Sequence, residues 1–326
     1  MAATAKTDQR VVLVTGASTG IGLALARQLA AGSWRVVLTA RASSLHRLTE
    51  AGLRESERVL FRPLDVVDYG QAEAVIAEIE ARWGGVDVLI NNAAICYRAV
   101  MEHLCDHHEQ EQFAVNYLGP LHLIRAVLPG MRARRSGRII NLSSVGGMMA
   151  MPTMGGYSAS KFALEGASEA LWYELKPWGI HLTLIEPGFV NSDSFLNARF
   201  TDLSRASYEG RICAYSPYYN NMMRFISRMM RFSPTTPDKV ARLIVKVMCR
   251  RRPPLRRPAT LDAHFFALLR RLLPQRLYHL VLYRGLPRIG SWVPRHITPQ
   301  EDAAPCAPCE AQGQGAEVPA AASTDP

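Results

Sequence analysis

The feature that most constrains this chain is the turn TGASTGIG (Thr15–Gly22), set between an apolar run, VVLV (Val11–Val14), and a stretch with helical spacing, Gly22–Ala31. A strand that enters a glycine-rich turn and leaves as a helix opens a βαβ unit, and such units build parallel sheets covered on both faces. The pattern then repeats. RVVLTA (Arg35–Ala40), VLFRP (Val59–Pro63), VDVLI (Val86–Ile90), RIINLS (Arg138–Ser143) and HLTLIE (His181–Glu186) are short and rich in β-branched residues, with helical stretches such as Tyr69–Trp83 between them. The fold class this predicts is α/β: a doubly wound parallel sheet of the Rossmann type, one domain with a helical C-terminal extension. Such sheets bind ligands beyond the carboxyl ends of their strands, so the residues that follow each strand are the candidates.

Gly16, Gly20 and Gly22 form a TGxxxGxG turn after the first strand. Glycine permits a tight bend and lets a pyrophosphate approach the N–H groups of a helix start, where the helix dipole favours negative charge. Ser18, Thr19 and Ile21 share the turn and join the candidate cofactor set. The second strand ends at Ala40–Arg41 with no acid beside it. A carboxylate there would hold a ribose 2′-hydroxyl, whereas a guanidinium pairs with a 2′-phosphate. Arg41 thus points to NADP(H) over NAD(H), the alternative being an ordinary solvated arginine. Asp65 and Val66 follow the third strand, with Asp65 as an acceptor for the adenine amino group. Asn92 and Ala93, in NNAA (Asn91–Ala94), follow the fourth and line the cofactor cleft.

In SSVGGMMAMPTMGGYSASKFALEG (Ser143–Gly166), Tyr157 and Lys161 stand four apart, with Ser144 thirteen residues before Tyr157. Residues four apart share a helical face, so the Lys161 ammonium is expected to stabilise the phenolate and lower Tyr157 from about 10. A phenol so tuned exchanges a proton with a carbonyl or alcohol. Ser144, at a strand end, would hold the same substrate oxygen. Met148, Met149, Met151 and Met154 lie between the serine and the tyrosine. Methionine suits an accommodating apolar pocket, and Met149 and Met151 join Ser144 and Tyr157 as candidate substrate contacts; core packing is the other reading.

Taken in order, TGxxxGxG, NNA, Ser, Tyr and Lys resemble the short-chain dehydrogenase/reductase family, in its single-domain branch, over roughly residues 11–250. The resemblance implies that Ser144, Tyr157 and Lys161 are catalytic. It also implies that Asn116, in FAVNYLGP, holds a water in a proton relay from Lys161, and that Pro187, Gly188, Val190 and Ser192 contact the nicotinamide. Ala94 departs from the usual glycine of NNAG, and Ser192 stands where many members have threonine. The stretch from Ser143 onward is similar to members acting on steroids and retinoids, the 17β-hydroxysteroid and retinol dehydrogenases. The activity implied is NADP(H)-dependent interconversion of a hydroxyl and a carbonyl on a lipophilic substrate. A 3-ketoacyl-thioester reductase and a non-catalytic dinucleotide sensor are the alternatives. A homo-oligomer joined through the helices around Asn116 and Tyr157 is implied as well.

The net charge of +10 is concentrated: residues 241–300 hold 13 Lys/Arg against one acid, Asp262. Within LDAHFFALLRRLLPQRLYHLVLYRGLP, Leu261, Phe265, Leu268, Leu269 and Leu272 recur at helical spacing before Pro274 breaks the run. No apolar stretch reaches the roughly 18 residues of a spanning helix. The segment 261–285 is expected either to lie on a membrane surface or to pack on the domain or a partner subunit. Its leucines and phenylalanines, with no docking module, argue against nucleic acid. The organisation expected is a flexible start at 1–9, a catalytic domain at 10–260 with a substrate lid at 191–235, the basic extension at 261–300 and a disordered tail at 301–326. Cys306 and Cys309 form a CxxC with no supporting ligands, so no metal is expected. Scattered cysteines and the absence of a basic-then-apolar leader suggest a cytoplasmic setting.

Overall fold

The computed structural model describes residues 10–192, 198–209 and 213–293. The expectations for 1–9, 294–300 and 301–326, for Cys306 and Cys309, and for parts of the lid region fall outside the described residues. Chain order begins β1 (Val11–Val14), α1 (Gly20–Ala31), β2 (Arg35–Ala40), α2 (Ala42–Glu50), β3 (Val59–Pro63), α3 (Tyr69–Trp83) and β4 (Val88–Asn91). It continues with α4 (Asp106–Phe113), α5 (Gly119–Ala133), β5 (Gly137–Leu142), α6 (Gly155–Leu175) and β6 (Ile180–Glu186). The last part holds α7 (Asp202–Glu209), α8 (Ser216–Arg231), α9 (Pro237–Cys249), β7 (Arg256–Pro258), α10 (Leu261–Leu272) and α11 (Gln275–Arg284).

All seven strands are parallel, in the order β3-β2-β1-β4-β5-β6-β7. The winding reverses between β1 and β4, so a crevice opens at their carboxyl ends. Period-two alternation divides β1 between two cores. Val12 and Val14 pack with Leu25 and Leu29 of α1 and with Val240 and Ile244 of α9. Val11 and Leu13 pack with Val75 and Ile79 of α3 and with Leu123 and Val127 of α5. Burial on both faces accounts for an unbroken apolar run where a half-exposed strand would alternate.

Helix ends separate structural from functional termini. At α3, Asp68 Oδ1 accepts from Gln71 N at 3.0 Å, and Gly84 ends the helix with a left-handed φ of 82°. At α1 the N-cap Thr19 makes no side-chain cap bond, and the first turn holds no acid. The N–H groups of that turn are therefore left for something else.

Beyond β7, α10 and α11 resolve the two readings of the extension in part. Phe266, Ala267, Leu269, Leu273, Tyr278 and Leu282 pack against Val145, Met148 and Met149, so one face does cover the domain. Among the described residues no helix is long and apolar enough to cross a membrane.

Candidate active site

The glycines of the first turn do different jobs. Gly16 and Gly20 have φ of 65° and 54°, a region that strains other residues. A Cβ on Gly16 would lie 2.8 Å from Ala93 Cα, and one on Gly22 would lie 2.1 Å from the Gly16 carbonyl oxygen. Asn92 Nδ2 fills this corner, donating to the carbonyls of Thr15 and Gly16 at 2.9 and 2.8 Å. Thr15 Oγ1 in turn accepts from the backbone N–H of Asn92 and Ala93. Gly16 and Gly22 thus serve the tight bend, letting the turn close on the end of β4. Only Gly20 has nothing within 4 Å of the position a Cβ would take. An open glycine cradle, beside the unspent N–H groups and hydroxyl of Thr19–Ile21, fits a pyrophosphate.

The rest of the expected cofactor set follows the strand ends. Arg41 is exposed immediately after β2, and no carboxylate among the described residues pairs with it. Asp65 is half-buried after β3, with Oδ1 accepting from Val67 N at 3.2 Å. Val66 is buried, and its carbonyl oxygen lies 2.7 Å from where a Cβ on Gly119 would be. Ser18 and Ile21 stand in the turn itself, and Val190 packs into the core on the α1 side. Ser192 closes the first described stretch.

Tyr157 and Lys161 come from the first turns of α6. The Lys161 Nζ donates to the Leu142 carbonyl at 2.8 Å and lies 5.8 Å from the centre of the Tyr157 ring. Ser144 hydrogen-bonds Tyr157, and its Oγ accepts from Gly146 N at 3.0 Å. Asn116 sits in a π turn, Ala114–Leu118, between α4 and α5. Its Oδ1 accepts from Ile95 N, and its Nδ2 donates to the Ile95 carbonyl and to Ser160 Oγ at 2.8 and 3.0 Å. Ser160 Oγ donates to the Tyr157 carbonyl at 2.8 Å. Both amide hydrogens of Asn116 are spent inside the protein, tying the loop after β4 to the catalytic helix.

One expectation is corrected. Burial pushes Tyr157 up to about 12; the nearby Cys96 thiol adds to the rise, while the Ser144 hydrogen bond and the Arg98 charge only partly oppose it. Burial also pushes Lys161 down to about 8, against the pull of Glu165 and Cys96. Low polarizability of the surroundings disfavours phenolate and ammonium alike, so proximity alone does not make the phenol acidic. Tyr157 is therefore protonated in the ligand-free protein.

Beyond Ser144 and Arg98, the side chains packed around Tyr157 are apolar. Cys96, Met151, Met154 and Phe189 cluster with it and are covered by Tyr218, Met222, Phe225, Ile226 and Met230 of α8. Leu286, Ile289 and Trp292, from beyond α11, complete the cover. Trp292 is 3% exposed, its ring 4.6 Å from that of Tyr218. Of the expected substrate contacts, Ser144, Met151 and Tyr157 meet here. Met149 packs instead with Val145, Met148 and Tyr278 under the extension. Trp292 carried no sequence signal, being a lone aromatic between Ser291 and Val293.

Two further constructions lie behind the site. The Pro187–Val190 loop is clamped by the extension: Gly188 N donates to Thr260 Oγ1 at 2.9 Å and Phe189 N to Asp262 Oδ2 at 3.0 Å. A Cβ on Gly188 would come 1.8 Å from that carboxylate oxygen, so a side chain there would displace the Asp262 clamp. The Pro187 carbonyl accepts from Val145 N at 2.7 Å, which joins this loop to the one after Ser144. Glu165, one turn beyond Lys161, accepts from Ser143 Oγ at 2.5 Å. Arg256 of β7 pairs with Glu165, with Glu186 at 2.7 Å and with Glu169 at 2.6 Å. Burial and the Glu165 charge raise Glu186 to about 7 in spite of Arg256.

With this geometry in place, comparison with known proteins gives a consistent result. Residues 10–202 match the family model described as short chain dehydrogenase. The chain is 31% identical over 274 residues to 3-ketodihydrosphingosine reductase of Bacteroides thetaiotaomicron, covering 84% of this chain and 96% of the relative. It is 36% identical over 254 residues to retinol dehydrogenase 8 of Homo sapiens, covering 76% and 80% respectively. Among solved structures, a short-chain dehydrogenase from Streptomyces avermitilis superposes with a TM-score of 0.70 at 32% identity, over 84% of this chain and 97% of that one.

Proposed function

Since the chain belongs to the short-chain dehydrogenase family, whose members are NAD(P)-dependent oxidoreductases interconverting hydroxyl and carbonyl groups, we propose that it uses NADP(H) and acts on a lipophilic alcohol or ketone. The observation that carries this reading is the cover over Tyr157, built of methionine, phenylalanine and tryptophan side chains. A steroid-, retinoid- or long-chain-lipid-like body would replace those contacts at little cost. The names of two relatives, with retinol and 3-ketodihydrosphingosine in them, support the same substrate class. Arg41 supports NADP(H), since its guanidinium would pair with a 2′-phosphate.

In the reducing direction a bound dihydronicotinamide would supply the hydride, and the protonated Tyr157 would donate its hydroxyl proton to the substrate oxygen. Ser144, already bonded to the phenol, orients that oxygen. Lys161 is fixed by the Leu142 carbonyl and carries a positive charge close enough to steady the phenolate left behind. Asn116 positions α6 through Ser160. The same reading takes the protein as cytoplasmic, although Cys105, unlike the free thiols Cys96, Cys213 and Cys249, is disulfide-bonded. It also makes it a homo-oligomer, since Leu118, in the π turn before α5, and Phe162 and Tyr173 of α6 stay exposed; sedimentation velocity should give a species larger than the monomer.

The test is a turnover panel of ketosteroids, retinal, long-chain aldehydes and 3-ketoacyl thioesters with NADPH and NADH. Free lipophilic carbonyls with NADPH are expected to react best. Thioesters reacting far faster, with a rate that collapses in salt, would transfer the assignment to a ketoacyl reductase.

A further inference from the structure

The helices α10 and α11 are apolar on two sides. The inner side covers the loop after Ser144. The outer side of α10 presents Leu261, Phe265, Leu268 and Leu272, spaced four, three and four apart and 54% to 73% exposed. On α11, Leu277, Leu280 and Val281 continue the pattern at 41% to 44%. A helix that packs by one stripe ordinarily turns polar groups outward, and a contiguous apolar surface marks a docking site.

The flanks identify the occupant. Arg270, Arg271, Arg276, Arg284 and Arg288 are exposed, and residues 263–293 contain no aspartate or glutamate. The neighbouring Asp262 is spent on Phe189 N. The partner must therefore offer an apolar interior behind an anionic surface. A second copy of this chain offers the first without the second: it would set arginines against arginines. We propose that α10 and α11 dock on an anionic phospholipid bilayer, lying in its surface with the leucine and phenylalanine side chains inserted and the arginines among the headgroups.

This placement has a structural consequence for the pocket. The docked helices touch Met148 and Met149 with their inner side, and the segment that follows α11 supplies Leu286, Ile289 and Trp292 to the cover over Tyr157. The membrane-facing element is continuous with the pocket cover, the arrangement needed for a substrate that stays dissolved in the bilayer.

The docking proposal does not rest on the redox reading, because binding is measured without turnover. The full chain is floated with phosphatidylcholine vesicles, with and without phosphatidylserine. Flotation is expected with the anionic vesicles, about tenfold weaker on phosphatidylcholine alone, and reversed by high salt. Leu268→Gln with Leu272→Gln should weaken it by about tenfold or more on either lipid. Arg271→Gln with Arg276→Gln should weaken it about tenfold on anionic vesicles only. Both double variants replace exposed side chains, and an unchanged far-ultraviolet circular dichroism spectrum confirms that they fold. Absence of flotation on anionic vesicles overturns the proposal, as does equal flotation of the leucine variant and the wild type. Self-association that disappears in the leucine variant, without flotation, would assign the face to a second copy instead.

Discussion

Replacing Arg256 by methionine would leave Glu165 and Glu186 buried without their shared counter-charge. Their side chains are 5% and 2% exposed, against 36% for Arg256. Removing one partner of a buried ion pair costs about 3–5 kcal/mol, because the remaining charge is left desolvated. Water already reaches the outer edge of Arg256, which favours the lower figure, about 3 kcal/mol. The cost should depend on pH with a definite sign. Glu186 stands at about 7 in the folded protein, against the ordinary 4.5. A carboxyl raised in this way binds its proton more tightly when folded, so the stabilisation is complete below the unfolded value and is lost as pH rises through the folded one. For the wild type this one group lowers stability by about 1.4 kcal/mol per pH unit across that window, about 3 kcal/mol in all. Without Arg256 the window extends upward, since Glu186 loses the cation that opposed its rise. Urea unfolding followed by tryptophan fluorescence should therefore give Arg256→Met a deficit of about 3 kcal/mol near pH 8, shrinking by at least half near pH 6. A deficit that is the same at both pH values, or below about 1 kcal/mol, would refute the claim that the arginine serves to neutralise buried acids.

Other consequences follow from the cofactor cradle and the catalytic pair. Gly20→Val would place a branched side chain at φ of 54° in the open cradle; NADPH affinity, read by fluorescence, should fall by about tenfold or more, and unchanged affinity would move the pyrophosphate elsewhere. Arg41→Glu should lower the NADPH-to-NADH ratio of kcat/KM by about tenfold or more, and an unaltered ratio would make Arg41 a bystander. Lys161 loses its charge near 8, so kcat/KM for carbonyl reduction should hold steady at lower pH and decline above about pH 8; a flat profile to about pH 10 would remove Lys161 from the electrostatics of the step.

The framework was legible because each strand is a short β-branched run closed by a turn, and the three proposed catalytic side chains lie within eighteen residues of one another in a recognisable order. Two things were not legible, for physical reasons. Spacing gives proximity but not burial, so Lys161 beside Tyr157 suggested an acidic phenol where the enclosed site holds a protonated one. Contacts made across the chain leave no local pattern. Arg256 sits in the basic run RRPPLRRP with no acid within five residues, and its partners Glu165 and Glu186 lie 91 and 70 residues away. The clamp of Asp262 on Phe189 and the burial of Trp292 over the pocket are of the same kind. For the extension, periodicity showed apolar positions without saying that they divide into two faces, which is what its inner packing and outer exposure reveal.

The account turns on Tyr157 as the proton donor to a carbonyl oxygen. Single-turnover oxidation of NADPH with a reactive lipophilic carbonyl, in wild type and Tyr157→Phe, tests it most directly. Phenylalanine keeps the ring packed among Met151, Met154 and Phe189 and removes only the hydroxyl. NADPH affinity should change little, while the oxidation rate should fall by about a hundredfold to ten-thousandfold. A variant that consumes NADPH within about tenfold of the wild-type rate would contradict the mechanism.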